Sequence, residues 1–169
     1  MDLTGKLLVA LPVLTETPFR RTVIYVLRHD DDGAVGVIIN RPSGMAMADV
    51  LPAWDERAAE PSVVFEGGPV EPEMAIAVGT APTGAVETID LDGDPSLRGA
   101  RSIRVFSGYA GWSGGQLENE LVEGAWVVVD AEPGDVFRAD AACLWQEVLR
   151  RQPDPLRRLG LLPDDLSVN

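Results

Sequence analysis

Cysteine occurs once, at Cys143, so no intramolecular disulfide can staple this chain. Histidine also occurs once, at His29, and no paired-cysteine metal motif is present. Basic residues are scarce. Lys and Arg number 14 against 27 Asp and Glu, a formal net charge of −13. A nucleic-acid binder needs a basic footprint to displace counterions from phosphates, so this balance argues against direct nucleic-acid binding. The one basic cluster, Arg150, Arg151, Arg157 and Arg158, reads as the exposed end of a C-terminal helix, where cations suit the dipole. No apolar run approaches the roughly 18 residues that a membrane span needs. The opening MDLTGKLLVALPVL carries one lysine and breaks at Pro12, unlike a secretory signal. These absences predict a soluble cytoplasmic protein without membrane association.

Apolar residues fill 46% of the 169 positions and charged residues 24%, the balance of a folded chain. One domain spanning 1–169 is expected, and folding at this length hides roughly 70% of the unfolded surface. KLLVALPVL (6–14) reads as an opening strand that stops at an edge or bulge near Pro12. TVIYVLRH (22–29) is a nearly continuous β-branched and aromatic run, the mark of a strand covered on both faces. Asp32-Gly33 signals a hairpin, VGVIIN (35–40) returns, and Pro42 blocks further pairing. Further strands are expected within SVVFEGGPV (62–70), ending in a tight turn at Gly67-Gly68-Pro69, and at EMAIAVG (73–79), SIRVFSG (102–108) and AWVVVDA (125–131), with a short edge strand at AVETID (85–90). Short helices are expected within 46–54, halted near Pro52, and at 114–123 and 140–152. Hairpins interrupted by helices, without β-α-β alternation, predict an α+β fold with a mostly antiparallel sheet and short flanking helices.

The stretch FSGYAGWSGGQLENEL (106–121) clusters glycine just before a helix, where each glycine costs roughly 1 kcal/mol against alanine. Ser113 reads as the N-cap, with Gln116 completing a capping box and Trp112 and Leu117 at the spacing of a hydrophobic staple. Gly124 falls where a helix-terminating glycine belongs. Gly114 and Gly115 then occupy the first turn. Either another backbone packs there and leaves no room for a Cβ, or the free N–H groups await an anion or carbonyl. Trp112 reads first as a core anchor and second as a ligand platform.

Several motifs are set aside. Gly111-Trp112-Ser113-Gly114-Gly115 fits G-x-S-x-G, but the apolar strand is expected to end near Ser107, too early for a nucleophile elbow. His29 also precedes the serine, and the strand pattern is not doubly wound. No catalytic residue is assigned. His29 with Asp30, Asp31 and Asp32 reads as a solvated hairpin, not a metal site, with the imidazole expected near Asn40 at the hairpin base. Cys143 is expected on the apolar helix face with Leu144, Val148 and Leu149, buried and inert. No cofactor is implied.

The string Gly-Tyr-Ala-Gly-Trp-x-x-Gly-Gln-Leu-Glu at 108–118 resembles the signature of the bacterial AlgH/YqgE family. GKLLVALPVL, the block from His29 to Asn40-Arg41-Pro42, EGGPV (66–70), WVVV and the Trp145 helix resemble its other blocks. The resemblance implies a split β-sheet curled into a pseudo-barrel, in a cytoplasmic protein whose molecular activity is not established. One branch of that family carries the label of a transcriptional regulator of alginate synthesis. Ser113 departs from the family's usual glycine, which weakens a catalytic serine further.

Two functions are weighed. The first is a regulatory or interaction module acting through a protein partner. The second is a small anionic-ligand binder or an undiscovered enzyme, with a cleft where three turns converge: Asn40-Arg41-Pro42, Gly67-Gly68 and Gly114-Gly115. Arg41 and free amides would favour an anion, with Asn40 and Gln116 orienting it. His29, Gly111, Trp112 and Glu118 join the candidate site through the resemblance. A monomer is the default expectation.

Overall fold

Alternating apolar side chains set the central strands, in a computed structural model that describes residues 1–14, 18–95 and 102–163. β1 (Leu7–Ala10) pairs antiparallel with β2 (Val23–Asp30), Leu7 opposite Tyr25 and Val9 opposite Val23. β2 forms a hairpin with β3 (Gly33–Ile38), and its register slips between Val26 and Arg28. Leu7, Val9, Val23 and Val37 face one core, together with Leu144, Trp145, Val148 and Leu149 of a C-terminal helix. Leu8, Ile24, Val26 and Ile38 face a second core with Trp112, Leu117 and Trp126. The run at 22–29 is thus covered on both faces, as its composition predicts.

The second half of the sheet holds β4 (Pro42–Ala46), β5 (Val63–Glu66), β6 (Val70–Thr80) and β7 (Val86–Ile89). Helix α1 (Met47–Val50) and a 3-10 turn over Pro52–Arg57 press Met47 and Trp54 onto Val64, Ala77, Ile103 and Val105. β8 (Ile103–Ser113) belongs to both halves. Its first part pairs antiparallel with β6 and parallel with β5, with Phe65 opposite Phe106. Its last part pairs with β3, Gly36 opposite Ala110 and Gly33 opposite Ser113. Helix α2 (Gln116–Val122) leads into β9 (Trp126–Val129), which pairs with β1. α3 (Leu144–Arg150) and α4 (Leu156–Leu159) follow. The sheet is mixed, mostly antiparallel, and curled into a half-barrel flanked by short helices.

The corner in β8 lies at Gly108, whose φ of +73° is left-handed. Here the Gly67-Gly68 turn crosses the strand backbone. A Cβ on Gly67 would sit 2.3 Å from the Gly108 oxygen, and one on Gly68 2.2 Å from the Tyr109 carbonyl. A Cβ on Gly108 would meet the Gly68 oxygen at 2.4 Å. None of these contacts admits a side chain.

Three expectations need correction. β8 continues to Ser113 instead of ending near Ser107, because Gly108 bends the strand without ending it and Ala110 and Trp112 carry on the inward alternation. Helix α2 starts at Gln116, not 114, with Gly115 as its N-cap at φ +81° and no side-chain cap. Ser113 is still paired with Gly33, so it cannot cap, yet Gln116 reaches back to accept from the Ser113 N–H at 3.0 Å. Cys143 is exposed, not buried. It ends the 3-10 turn before α3, about 100° round from Leu144, and so points off the apolar face. The end of α2 follows its sequence: Gly124 is left-handed at φ +79°, and Ala125 N–H reaches the Glu120 carbonyl at 2.9 Å in a Schellman arrangement.

Arg104, 2% exposed, ties the half-barrel together from inside. Its guanidinium donates to the carbonyls of Val136 (3.1 Å), Arg138 (2.9 Å), Glu60 (2.7 Å) and Ala59 (3.3 Å), and lies 4.1 Å above the Phe65 ring. Burial pulls its pKa down to about 10, so it stays charged at neutral pH.

Gly68→Ala is expected to lose on the order of 3 kcal/mol or to block folding, since backbone must shift to admit the methyl group. Gly44→Ala, which meets open space, should stay within about 0.5 kcal/mol of wild type. Urea melts of the two variants check this, and similar losses at both sites would refute the crossing as a constraint.

Candidate functional site

The Gly67-Gly68 crossing leaves a cleft beside it. About 530 Å³ of space is lined by Pro18, Ile38, Arg41, Ser43, Gly44, Met45, Glu66, Gly68, Pro69, Pro72 and Ser107. A second hollow of about 350 Å³ shares Met45, Pro72 and Ser107 with it and extends to Val50, Leu51, Val64 and Met74. The two form one groove between β4 and the N-terminal arm of β6. Val70 pairs with Tyr109 and Ala75 with Ser107, so Glu71–Met74 leave the ladder and stand at the groove as an exposed flap. Met45, Val50 and Met74, large apolar side chains that are 46%, 47% and 48% exposed, gather at this one groove.

Polar groups here are largely engaged with the protein itself. Arg41 donates to the carbonyls of Pro18 and Arg20, the latter at 3.1 Å, and its own carbonyl accepts from Glu66 N–H at 2.8 Å. Burial lowers the Arg41 pKa, and the neighbouring Glu66 carboxylate opposes that shift. The Ser43 hydroxyl donates to the Val64 carbonyl and the Ser107 hydroxyl to that of Pro72. Asn40 bridges Val23 N–H and the Arg21 carbonyl, both at 2.9 Å. Pro42 opens β4 at the surface. The Asn40-Arg41-Pro42 and Gly67-Gly68 turns therefore adjoin, as expected.

The Gly114-Gly115 turn does not join them. Ser113 lies six residues beyond Ser107 on β8, on the order of 20 Å along an extended strand. A Cβ on Gly114 would meet the Asp31 carbonyl at 2.7 Å, so backbone packing explains that glycine. Gly115 is open but needs its left-handed φ. Trp112 is 7% exposed, edge-on to Trp126 at 6.0 Å, as a core anchor would be. Gly111 and Gln116 lie at this same end, with Gly111 opposite Val35 in the ladder.

His29 also belongs to the Ser113 end. It pairs with Ala34 beside the hairpin turn, whereas Asn40 contacts Val23 at the opposite end of β2, so the expected proximity of His29 and Asn40 does not occur. His29 Nδ1 accepts from Leu3 N–H at 3.1 Å, which leaves the ring proton on Nε2, 2.6 Å from Glu118 Oε1. His29, Ala34 and Trp112 are aligned across the ladder and share one face. Ser113, the next residue, points to the other face and its hydroxyl lies 3.3 Å from Gln116 Oε1. Although β8 does reach Ser113, Ser113 and His29 face opposite sides of the sheet and do not pair. Sequence reasoning missed Arg104, because an Arg between Ile103 and Val105 reads as the solvent side of a strand. It also missed the methionines, which ordinarily signal core.

Comparison with known proteins places these features in a family. The AlgH-like family model matches residues 7–157. A UPF0301 protein of Streptomyces avermitilis is 45% identical over 99% of this chain and 96% of its own length. Another, from Streptomyces coelicolor, is 44% identical with the same coverage. A crystal structure of a Corynebacterium diphtheriae protein superposes with a TM-score of 0.89 at 29% identity, covering 95% of this chain and 92% of that one. The solution structure of the AlgH protein from Pseudomonas aeruginosa gives 0.65 at 28% identity, covering 100% and 91%.

Hydrogen bonds from its own backbone and from His29 hold the Glu118 carboxyl below the usual range. The resulting stabilisation is complete above the unfolded-state value and disappears as pH falls through the lower folded-state value. Urea melts across acidic pH should therefore find wild type and Glu118→Gln converging as pH falls. A stability gap that does not change with pH would rule the linkage out.

Proposed function

We propose that this chain, which belongs to the AlgH-like family, is a cytoplasmic regulatory or interaction module that acts by docking a protein partner in the groove between β4 and the 71–74 flap. The family has no established activity. The observation that carries the reading is the half-exposed trio Met45, Val50 and Met74 around an open groove. Exposed apolar side chains gathered at a concave surface suit protein docking, and methionine adapts its shape to a partner.

The anion-binding alternative draws less support. It needs a free cation, and two Arg41 nitrogens already donate to the carbonyls of Pro18 and Arg20. The amides of the Gly114-Gly115 turn stand at the far end of β8, so they add nothing to this groove. Direct nucleic-acid binding meets the repulsion of a net charge of −13. No helix among the described residues is long and apolar enough to cross a membrane.

A photo-crosslinking amino acid at position 74, compared with one at position 122, tests the docking reading in cells. Val122 is 89% exposed on α2, away from the groove. The expected outcome is a reproducible protein adduct from position 74 that is lost on Met45→Asp. Matching adduct patterns from both positions would remove the groove as a docking site.

A further inference from the structure

The flap that walls the groove is acidic. Glu71 and Glu73 alternate with Pro72 and Met74, all four exposed, and Asp49 is exposed beside Val50 on α1. Among the described residues no cation pairs with Glu71, Glu73 or Asp49. The nearest basic side chain lining the groove, Arg41, is held by the 18–20 backbone and sits beside Glu66. Apolar seats and carboxylates thus share the groove, Glu73 lining it with Met74 and Asp49 preceding Val50 on α1; charge directs a partner over about a Debye length, roughly 8 Å at physiological salt.

Resting on the docking reading above, we propose that the occupant is a segment of a partner protein in which apolar side chains are flanked by lysine or arginine. The apolar groups seat against Met45, Val50 and Met74, and the cations meet Glu71, Glu73 and Asp49. Charge complementarity selects this occupant. A second copy of this chain docked through the same face would oppose carboxylate to carboxylate, and an anionic lipid surface would be repelled. The groove hydroxyls of Ser43 and Ser107 are taken up by carbonyls, so the floor offers shape and apolar surface while the rim supplies charge.

Fluorescence anisotropy of the full chain with two labelled peptides tests this. In one, leucine alternates with lysine and serine, and in the other with glutamate and serine. The lysine peptide should bind at least about tenfold more tightly at low salt, with the ratio shrinking as salt rises. Glu71→Gln with Glu73→Gln should cut the ratio severalfold. Asp31→Asn with Asp32→Asn, which removes as many exposed charges at the hairpin tip, should leave it unchanged. An equal fall in both double variants would assign the preference to overall charge and overturn the inference. Equal binding of both peptides, abolished by Met74→Asp, would overturn the charge selection and leave the docking reading standing. Absence of binding by either peptide, or binding that ignores Met74→Asp in a variant of unchanged Tm, would overturn both. Self-association on sedimentation that Met74→Asp abolishes would make a second copy the occupant and overturn the proposal.

Discussion

Everything in this half-barrel depends on two backbones touching where Gly67 and Gly68 cross β8 at Gly108. A sheet with a normal twist cannot continue indefinitely without curling or splitting, and this one turns its corner within a single strand. The left-handed residue at Gly108 rotates β8 so that its first part serves β5 and β6 and its last part serves β3. The turn at 67–68 clamps that bend: Gly67 N–H donates to Ser107 and its carbonyl accepts from Ile38, linking the two half-sheets at one point. The groove lies beside this crossing, with Gly68, Pro69 and Ser107 in its lining. The glycines that look like a binding motif in the sequence serve the approach of the two backbones.

The polar residues of the family signature follow the same logic. Asn40 and Arg41 fasten the segment from Pro18 to Val23, and His29 with Glu118 fastens the N-terminal residues to α2. Each hydrogen-bonds to groups that a loop or a helix start would otherwise leave unpaired, which is costly when buried. Their chemistry serves architecture: even Arg41, which lines the groove, directs two of its nitrogens to the carbonyls of Pro18 and Arg20.

Much of the scaffold was legible because periodicity is local. The doubly covered run at 22–29, the Asp32-Gly33 hairpin, the edge strand at 86–89 and the glycine stop after α2 each follow from a short window of residues. What failed was non-local. Glycine within FSGYAGWSGG reads as punctuation, and only the partner strand β3 reveals that the chain there is still extended. Ser113 satisfies every local rule for an N-cap, yet its pairing with Gly33 denies it the geometry. Arg104 alternates as a surface residue would, and only the carbonyls at 59–60 and 136–138, remote in sequence, make its burial tolerable. Of the three turns expected to converge, two adjoin, and the third is held at the other end of β8 by register.

This division along β8 separates two kinds of change. At the Ser113 end, Trp112 and Leu117 share one buried core and His29 is buried as well, so substitutions there act through stability. At the Ser107 end, the flap and the methionines project from the ladder and carry little of the core. Met45 and Met74 belong to none of the three buried clusters. Selection for folding alone gives no reason to keep large apolar side chains half exposed beside carboxylates, because polar replacements there would cost little stability and improve solubility. Their placement around a cleft beside the backbone crossing is what the proposed docking of a partner requires.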